Sequence, residues 1–308
     1  MLVVIAGGTG FLGQPLATAL AAEGHAVTVL TRKGSPPSAT ERPAPGSVGQ
    51  VQWNPDGTTG PWTQALDGAT AVINLAGESI AARRWTAAQK ARLVDSRRAA
   101  TRSLVAAIGS SRQPPPVFIS ASAIGYYGDR GAEALTETSG PGSDFLATLA
   151  VEWERLALQA QSPRTRVALV RTGIVLDPHG GALGRMLLPF KAFVGGPLGS
   201  GKQYMSWIHR GDWLALLRWM TTNDAASGPI NATAPAPVTN AEFSRHLGRA
   251  LGRPSLLPAP AFALRLLLGE MADPLLLTSQ RVLPARAESL GFQFSYPTLG
   301  PALQALLS

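Results

Sequence analysis

The 308-residue sequence contains no cysteine. Disulfides, thiolate metal sites and a cysteine nucleophile are excluded from the outset. Acidic residues are in deficit, 19 against 27 lysines and arginines, which leaves a formal net charge of +8. That balance invites a nucleic-acid partner. The cations are mostly scattered arginines, however, with local groups at Arg83-Arg84 and Arg97-Arg98, and no zinc-finger or RNA-recognition motif accompanies them. Nucleic acid is therefore not expected as a partner. Long apolar runs are missing as well. The longest, near Pro258 to Leu277, is broken by Arg265, Glu270 and Asp273 and is too interrupted to span a bilayer. The first residues already read as a buried strand, which leaves no room for a signal peptide. A cytoplasmic location without a membrane partner is expected. The four histidines, His25, His179, His209 and His246, lack the spacing of a metal site, so no metal is expected. No internal repeat is visible.

What is present is concentrated at residues 3–13, VVIAGGTGFLG. Four apolar residues lead into Gly7, Gly8, Gly10 and Gly13, and an amphipathic helix follows over about 11–23. This is the strand, glycine turn and helix start of a dinucleotide-binding unit. Gly7 or Gly8 permits the tight turn, Gly10 lets the backbone approach a diphosphate, and Gly13 lets the helix pack on the strand. With Thr9, Phe11 and Leu12 between them, Gly7, Gly10 and Gly13 are the first cofactor-binding candidates. The helix start offers free N–H groups to the phosphates. The second strand, VTVL, ends in Thr31-Arg32-Lys33. An acid at this point would favour NAD by accepting from the ribose 2′-hydroxyl. Two cations stand here instead, and Arg32 suits a 2′-phosphate. The cofactor expected is NADP(H).

Strand patterns recur at 2–6, 27–31, 71–75, 116–120, 167–171 and 229–232, several of them continuously apolar, as in strands buried on both faces. Helical patterns cover 11–23, 87–108, 144–160 and 210–222. Residues 33–62 read as a loop around a short strand at Val51 to Trp53. The fold class is α/β, a doubly wound parallel sheet of the Rossmann type with a smaller C-terminal substrate lobe. The cofactor domain is placed at 1–172, completed by segments near 204–235. The lobe takes most of 173–308 and closes with a turn or strand at Gly291-Phe292-Gln293-Phe294.

These features resemble the extended short-chain dehydrogenase/reductase superfamily, in its NAD(P)-dependent epimerase/dehydratase group. GGTGFLG matches the glycine turn, Asn74-Leu75-Ala76-Gly77 the segment flanking the cofactor, Ile119 to Gly128 the fifth-strand motif with its catalytic serine, and Arg171 to Leu176 the entry to the substrate lobe. The runs RWT at 84–86, DSR at 95–97, SAIGYYG at 122–128, DFLATLAVEWE at 144–154 and GSGKQYMSWIH at 199–209 resemble the "epimerase family" branch, as does a C-terminal domain at about 254–297. The resemblance implies cofactor roles for Leu75, Ala76, Gly77, Arg97 and Ser120, a small-molecule substrate, and a homodimer through helices 87–108 and 144–160.

One departure matters. Members of the superfamily typically carry Tyr-x-x-x-Lys on the helix after the serine strand, the tyrosine moving the proton and the lysine holding the ribose. Phe145 and Leu149 occupy those positions here. The catalytic candidates become Ser122, to polarise a carbonyl, and Tyr126 or Tyr127, to donate a proton. Without the lysine such a tyrosine is a poor base, which favours carbonyl reduction over alcohol oxidation. Arg130 or Arg171 would replace the missing charge. On the substrate side the candidates are Glu78, Arg171, Gln203, Trp207 and His209, with His209 and Asp212 alternatively capping the following helix. The functional expectation is an NADP(H)-binding oxidoreductase or nucleotide-sugar-epimerase-like enzyme acting on a small polar substrate. The alternative is a non-catalytic NADP(H) sensor.

Overall fold

Leu2–Ala6 form β1, almost fully buried, in the interior of a seven-stranded sheet. The computed structural model describes residues 1–33 and 42–308. The other strands are β2 (Ala26–Thr31), β3 (Val48–Gln52), β4 (Ala71–Asn74), β5 (Val117–Ala123), β6 (Arg166–Thr172) and β7 (Gly228–Ala232). Their order is β7-β6-β5-β4-β1-β2-β3, and every pairing is parallel. The order reverses between β1 and β4, so a crevice opens there at the carboxyl ends of the strands.

Helices cover both faces. Leu16 and Leu20 of α1 (Gly13–Ala22) pack on one face with Trp213, Leu216 and Met220 of a helix over Arg210–Thr222. The opposite face carries Leu104 and Ile108 of α2 (Ala87–Ser110) and Ala157 of α3 (Phe145–Ala157). Thr86 and Asp144 cap these two helices, their side chains accepting from the N–H groups of Gln89 and Ala147. The expected helix at 210–222 and strand at 2–6 coincide with the observed elements, while the helix expected from 11 begins only at Gly13.

The Arg210–Thr222 helix on the sheet is α5. A separate core joins α4 (Gly181–Lys191) to α6 (Asn240–Leu251). It holds Leu183, Phe190, Trp207, Phe243 and Leu247 with Leu299 and Leu303 of the last helix. Residues 291–294 form a turn with no strand pairing, although Phe292 packs into the sheet's core. This C-terminal part is tied back to the sheet. Gln280 Nε2 donates to the carbonyls of Ile124 and Gly128, both at 3.0 Å. Asp212 accepts from the N–H groups of Ser295 and Tyr296, each at 2.9 Å. As expected, His209 caps the helix and Asp212 stands in its first turn, but the Asp212 carboxylate bonds to the C-terminal chain rather than to the helix's own N–H groups.

Gly13 packs directly beneath the turn after β1. A Cβ there would fall 2.2 Å from the Gly7 carbonyl oxygen, so the backbone itself must move to admit one. Gly13→Ala is expected to cost about 1–3 kcal/mol in urea unfolding, like other overpacked sites.

Candidate functional site

The crevice is lined on one side by the glycine turn. Gly7 adopts φ +80°, and a Cβ there would lie 2.7 Å from the Leu75 carbonyl. The turn closes through Gly10 N–H to Gly7 O at 3.0 Å. No side chain caps α1, and among the described residues the N–H groups of Thr9, Phe11, Leu12 and Gly13 have no acceptor in the protein. Free donors gathered at a helix start fit an anion such as a dinucleotide's diphosphate. The Phe11 ring lies over Gly180 and Gly181, so the start of α4 meets the turn from the far side. Arg32 and Lys33 are exposed beyond the end of β2.

Across the crevice, Leu75–Glu78 follow β4. Leu75 N–H is bonded to Ala6 O at 2.8 Å, and Ala76 N–H to Asn74 Oδ1 at 3.2 Å. Asn74 Nδ2 reaches Thr101 Oγ1 at 3.1 Å and Ser120 Oγ at 3.5 Å, which places Ser120 deep under this segment. The Glu78 carboxylate accepts from Gln89 at 2.8 Å. Arg97 Nη1 donates to the carbonyls of Glu78 and Leu93, at 3.0 and 3.1 Å, and its guanidinium packs over Trp153 at 5.0 Å. Burial pulls the Arg97 guanidinium down to about 10, and the nearby Glu78 charge opposes the shift. Among the described residues no carboxylate pairs with it directly.

The serine and the tyrosines meet at the end of β5. Ser122 Oγ donates to Glu154 Oε1 at 2.6 Å. Glu154 accepts a two-pronged contact from Arg171, both N–O distances being 2.8 Å. Arg171 Nη1 then donates to the Tyr127 hydroxyl at 3.0 Å, and that hydroxyl donates to Asn231 Oδ1 at 2.7 Å. The Arg171 guanidinium also lies 3.4 Å from the centre of the Tyr126 ring. Glu154 and Arg171 are only 7% and 3% exposed. Burial alone would depress the Arg171 guanidinium, but its bonds to Glu154 and Tyr127 raise it above its ordinary value. Burial pushes the Tyr127 phenol up to about 12, against the pull of Arg171. Tyr127 thus stays protonated, fully enclosed, with its one proton given to Asn231. Ser122's one proton is given to Glu154, so towards any other group it presents lone pairs. Tyr126 is half-buried, and its hydroxyl has no partner among the described residues.

The remaining candidates do not join this cluster. Gln203 is buried and donates to the carbonyls of Leu198 and Leu276, both at 3.0 Å. Trp207 is fully enclosed and donates to Ala236 O at 3.0 Å. His209 Nδ1 accepts from Gly211 N–H at 2.9 Å, and its ring stacks 3.9 Å from that of Tyr296. All three hold the C-terminal part together. Phe145 packs edge-on to Trp85, with ring centres 5.2 Å apart, and Leu149 is buried one turn further along α3. Among the described residues no three His, Asp or Glu side chains gather to hold a metal, and no helix is long and apolar enough to cross a membrane.

Glu154 and Asn231 were not foreseen. Glu154 had a signal: it falls on the helix face defined by Ala147, Ala150 and Ala157, where an acid needs a buried partner. Asn231 had none, being one polar residue in a short apolar strand.

Comparison with known proteins places the whole chain. The model of the NAD dependent epimerase/dehydratase family matches residues 3–232, and a domain of unknown function (DUF1731) matches residues 259–306. An epimerase family protein of Mycobacterium tuberculosis is 43% identical over 303 residues, covering 98% of this chain and 96% of that one. The human epimerase family protein SDR39U1, crystallised with NADPH, is 36% identical, with a TM-score of 0.89 over 100% of this chain and 99% of that one. A Corynebacterium glutamicum structure described as a nucleoside-diphosphate sugar epimerase is 34% identical, with a TM-score of 0.77. It covers all of this chain but 58% of that one.

Two measurements follow from the geometry. Glu154→Gln or Arg171→Met alone should cost about 3–5 kcal/mol in urea unfolding, because each leaves a buried charge unpaired. The double replacement Glu154→Leu with Arg171→Met should recover much of that loss. Burial also lowers His209 below its ordinary 6.5. The unfolded chain then takes up a proton before the folded one, and protonation removes the Nδ1 acceptor. The stabilisation is complete above about pH 6.5 and is lost as pH falls below it. Acidification to about pH 5 should therefore lower the Tm more in the wild type than in His209→Asn, whose amide caps without titrating.

Proposed function

The chain belongs to the NAD dependent epimerase/dehydratase family, and from that premise we propose an NADP(H)-binding oxidoreductase or epimerase-like enzyme acting on a small polar carbonyl or hydroxyl compound. The observation that carries this reading is the turn at Gly7–Gly13, whose unpartnered N–H groups face the crevice between β1 and β4. Residues 1–172, with 204–235, form the cofactor side, and the rest of 173–308 closes over the substrate. Human SDR39U1 with its NADPH supports the choice of cofactor, as does the pair of cations after β2. In this reading Arg32 receives the 2′-phosphate.

The dinucleotide crosses the switch point, its adenosine half towards β2 and its nicotinamide half towards β4 and β5. Arg97 lies on that second half, against Gly77 and one turn of α3 away from Leu149. It brings from α2 the cation that position 149 does not supply. NADPH, when bound, supplies the hydride. Tyr126 supplies the proton, since Tyr127 and Ser122 have theirs committed to Asn231 and Glu154. Arg171 holds the Tyr126 ring face-on and fixes where its hydroxyl points. Ser122, with only lone pairs to offer, accepts from a hydroxyl or N–H rather than polarising a carbonyl.

Titration of NADPH and NADH into the purified protein tests the reading. Wild type should prefer NADPH, and Arg32→Asp should lower the NADPH-to-NADH affinity ratio by about tenfold or more. Arg97→Met should weaken NADPH on the order of tenfold but leave 2′,5′-ADP, which lacks the nicotinamide half, unchanged. A wild type that binds neither dinucleotide overturns the reading. Equal loss of NADPH and 2′,5′-ADP in Arg97→Met overturns the placement of Arg97.

A further inference from the structure

The net charge of +8 extends beyond the crevice. Much of it sits on a surface of unusual composition. No Asp or Glu occurs between Asp177 and Asp212, nor between Glu242 and Glu270. These two stretches meet in space: Leu257 N–H is bonded to Gly195 O, and Leu198 bridges to Ala259. They surround a helix, α7 (Ala261–Leu268), that buries none of its residues. Phe262 and Leu266 of α7 are 73% and 80% exposed, and Leu256 just before it is 81% exposed. Leu257, Leu267 and Phe193 add to this apolar face.

Cations border it. Arg253 lies over the Phe193 ring at 4.4 Å. Arg245, Arg249 and Arg253 line one shallow cavity with Leu256. Among the described residues none of these three makes an ion pair. The platform is held firmly. Arg84 donates from the β4 side to the carbonyls of Leu266 and Leu267, at 2.9 Å each.

The chemistry of this face selects its partner. A second copy, meeting the same face across a two-fold axis, would set arginines against arginines. A peptide helix seeks a groove, whereas α7 presents a helix with none of its residues buried. Nucleic acid would use the arginines but leave the leucines and phenylalanines in water. An anionic bilayer satisfies both: apolar side chains enter the acyl boundary while arginines meet headgroup phosphates.

We propose that α7 and the arginine-bordered loops beside it dock the protein on an anionic phospholipid surface. The stretch from Pro258 to Leu277, too interrupted to cross a bilayer, has the composition to lie on one. This runs against the sequence expectation of no membrane partner and does not depend on the cofactor reading.

Flotation of the full chain with vesicles tests it, using phosphatidylcholine alone and phosphatidylcholine mixed with phosphatidylglycerol. Binding should require phosphatidylglycerol and weaken with salt. Leu266→Glu with Leu267→Glu, and separately Arg249→Glu with Arg253→Glu, should each lower the bound fraction on the order of tenfold. All these residues are exposed, so the Tm should stay at the wild-type value. The proposal is overturned by absence of flotation, by equal flotation with phosphatidylcholine alone, or by either variant floating like the wild type. It is also overturned if light scattering finds a dimer that Leu266→Glu with Leu267→Glu splits.

Discussion

A carboxylate and a guanidinium buried together set the geometry at the carboxyl ends of β5 and β6. Glu154 comes from α3 and Arg171 from β6, and neither could be enclosed without the other. Their joint hydrogen-bonding capacity exceeds one ion pair, and the surplus is spent on the neighbours. Ser122 of β5 is fixed through Glu154, Tyr127 through Arg171, and Asn231 of β7 through Tyr127. Three adjacent strands and one helix are thus registered by polar contacts at the end of the sheet where ligands enter. The Tyr126 ring, laid on Arg171, is the part of this network that reaches outward. A site that lacks the usual tyrosine–lysine pair on α3 is nonetheless rigidly built.

Much of this could be read from residue order. Continuous apolar runs gave the parallel strands their places, because strands covered on both faces need no polar alternation. The glycine turn and the helix after it were legible because only glycine fits where Gly7 and Gly13 stand. The clustering of Ser122, Tyr126, Tyr127 and Arg171 followed from strand ends that neighbour one another in the sheet. Directions of side chains were not legible. Trp207 and Gln203 lie in a motif that looks like a ligand loop, yet both turn inward to satisfy backbone carbonyls of the C-terminal part. Their orientation depends on chain that arrives thirty to seventy residues later, to which local pattern is blind. Asp212 was placed correctly at a helix start, but its carboxylate serves backbone more than eighty residues away.

The two halves of the surface also differ in kind. Around the crevice, cations are tied to backbone carbonyls or carboxylates, as with Arg97 and Arg171. Beside α7, Arg265 is paired with Asp273, but Arg245, Arg249 and Arg253 make no ion pair among the described residues, and no acid occurs in either stretch of sequence. An overall charge therefore says little until it is divided by location. Eight of the 27 lysines and arginines fall in those two acid-free stretches.

The ties made by Gln280 also carry a consequence for how the molecule is made. The loop that bears Tyr126 is fastened by hydrogen bonds spanning 156 and 152 residues of chain. During synthesis the strands of the sheet can begin to assemble as they emerge, but this loop must wait for residue 280 to leave the ribosome. Contacts of such separation form late, since their closure entropy is met only once the rest is in place. The nascent chain can hold a finished glycine turn well before it holds the loop of Tyr126 in place, so the order of translation postpones the arrangement around that ring until the chain near residue 280 has emerged.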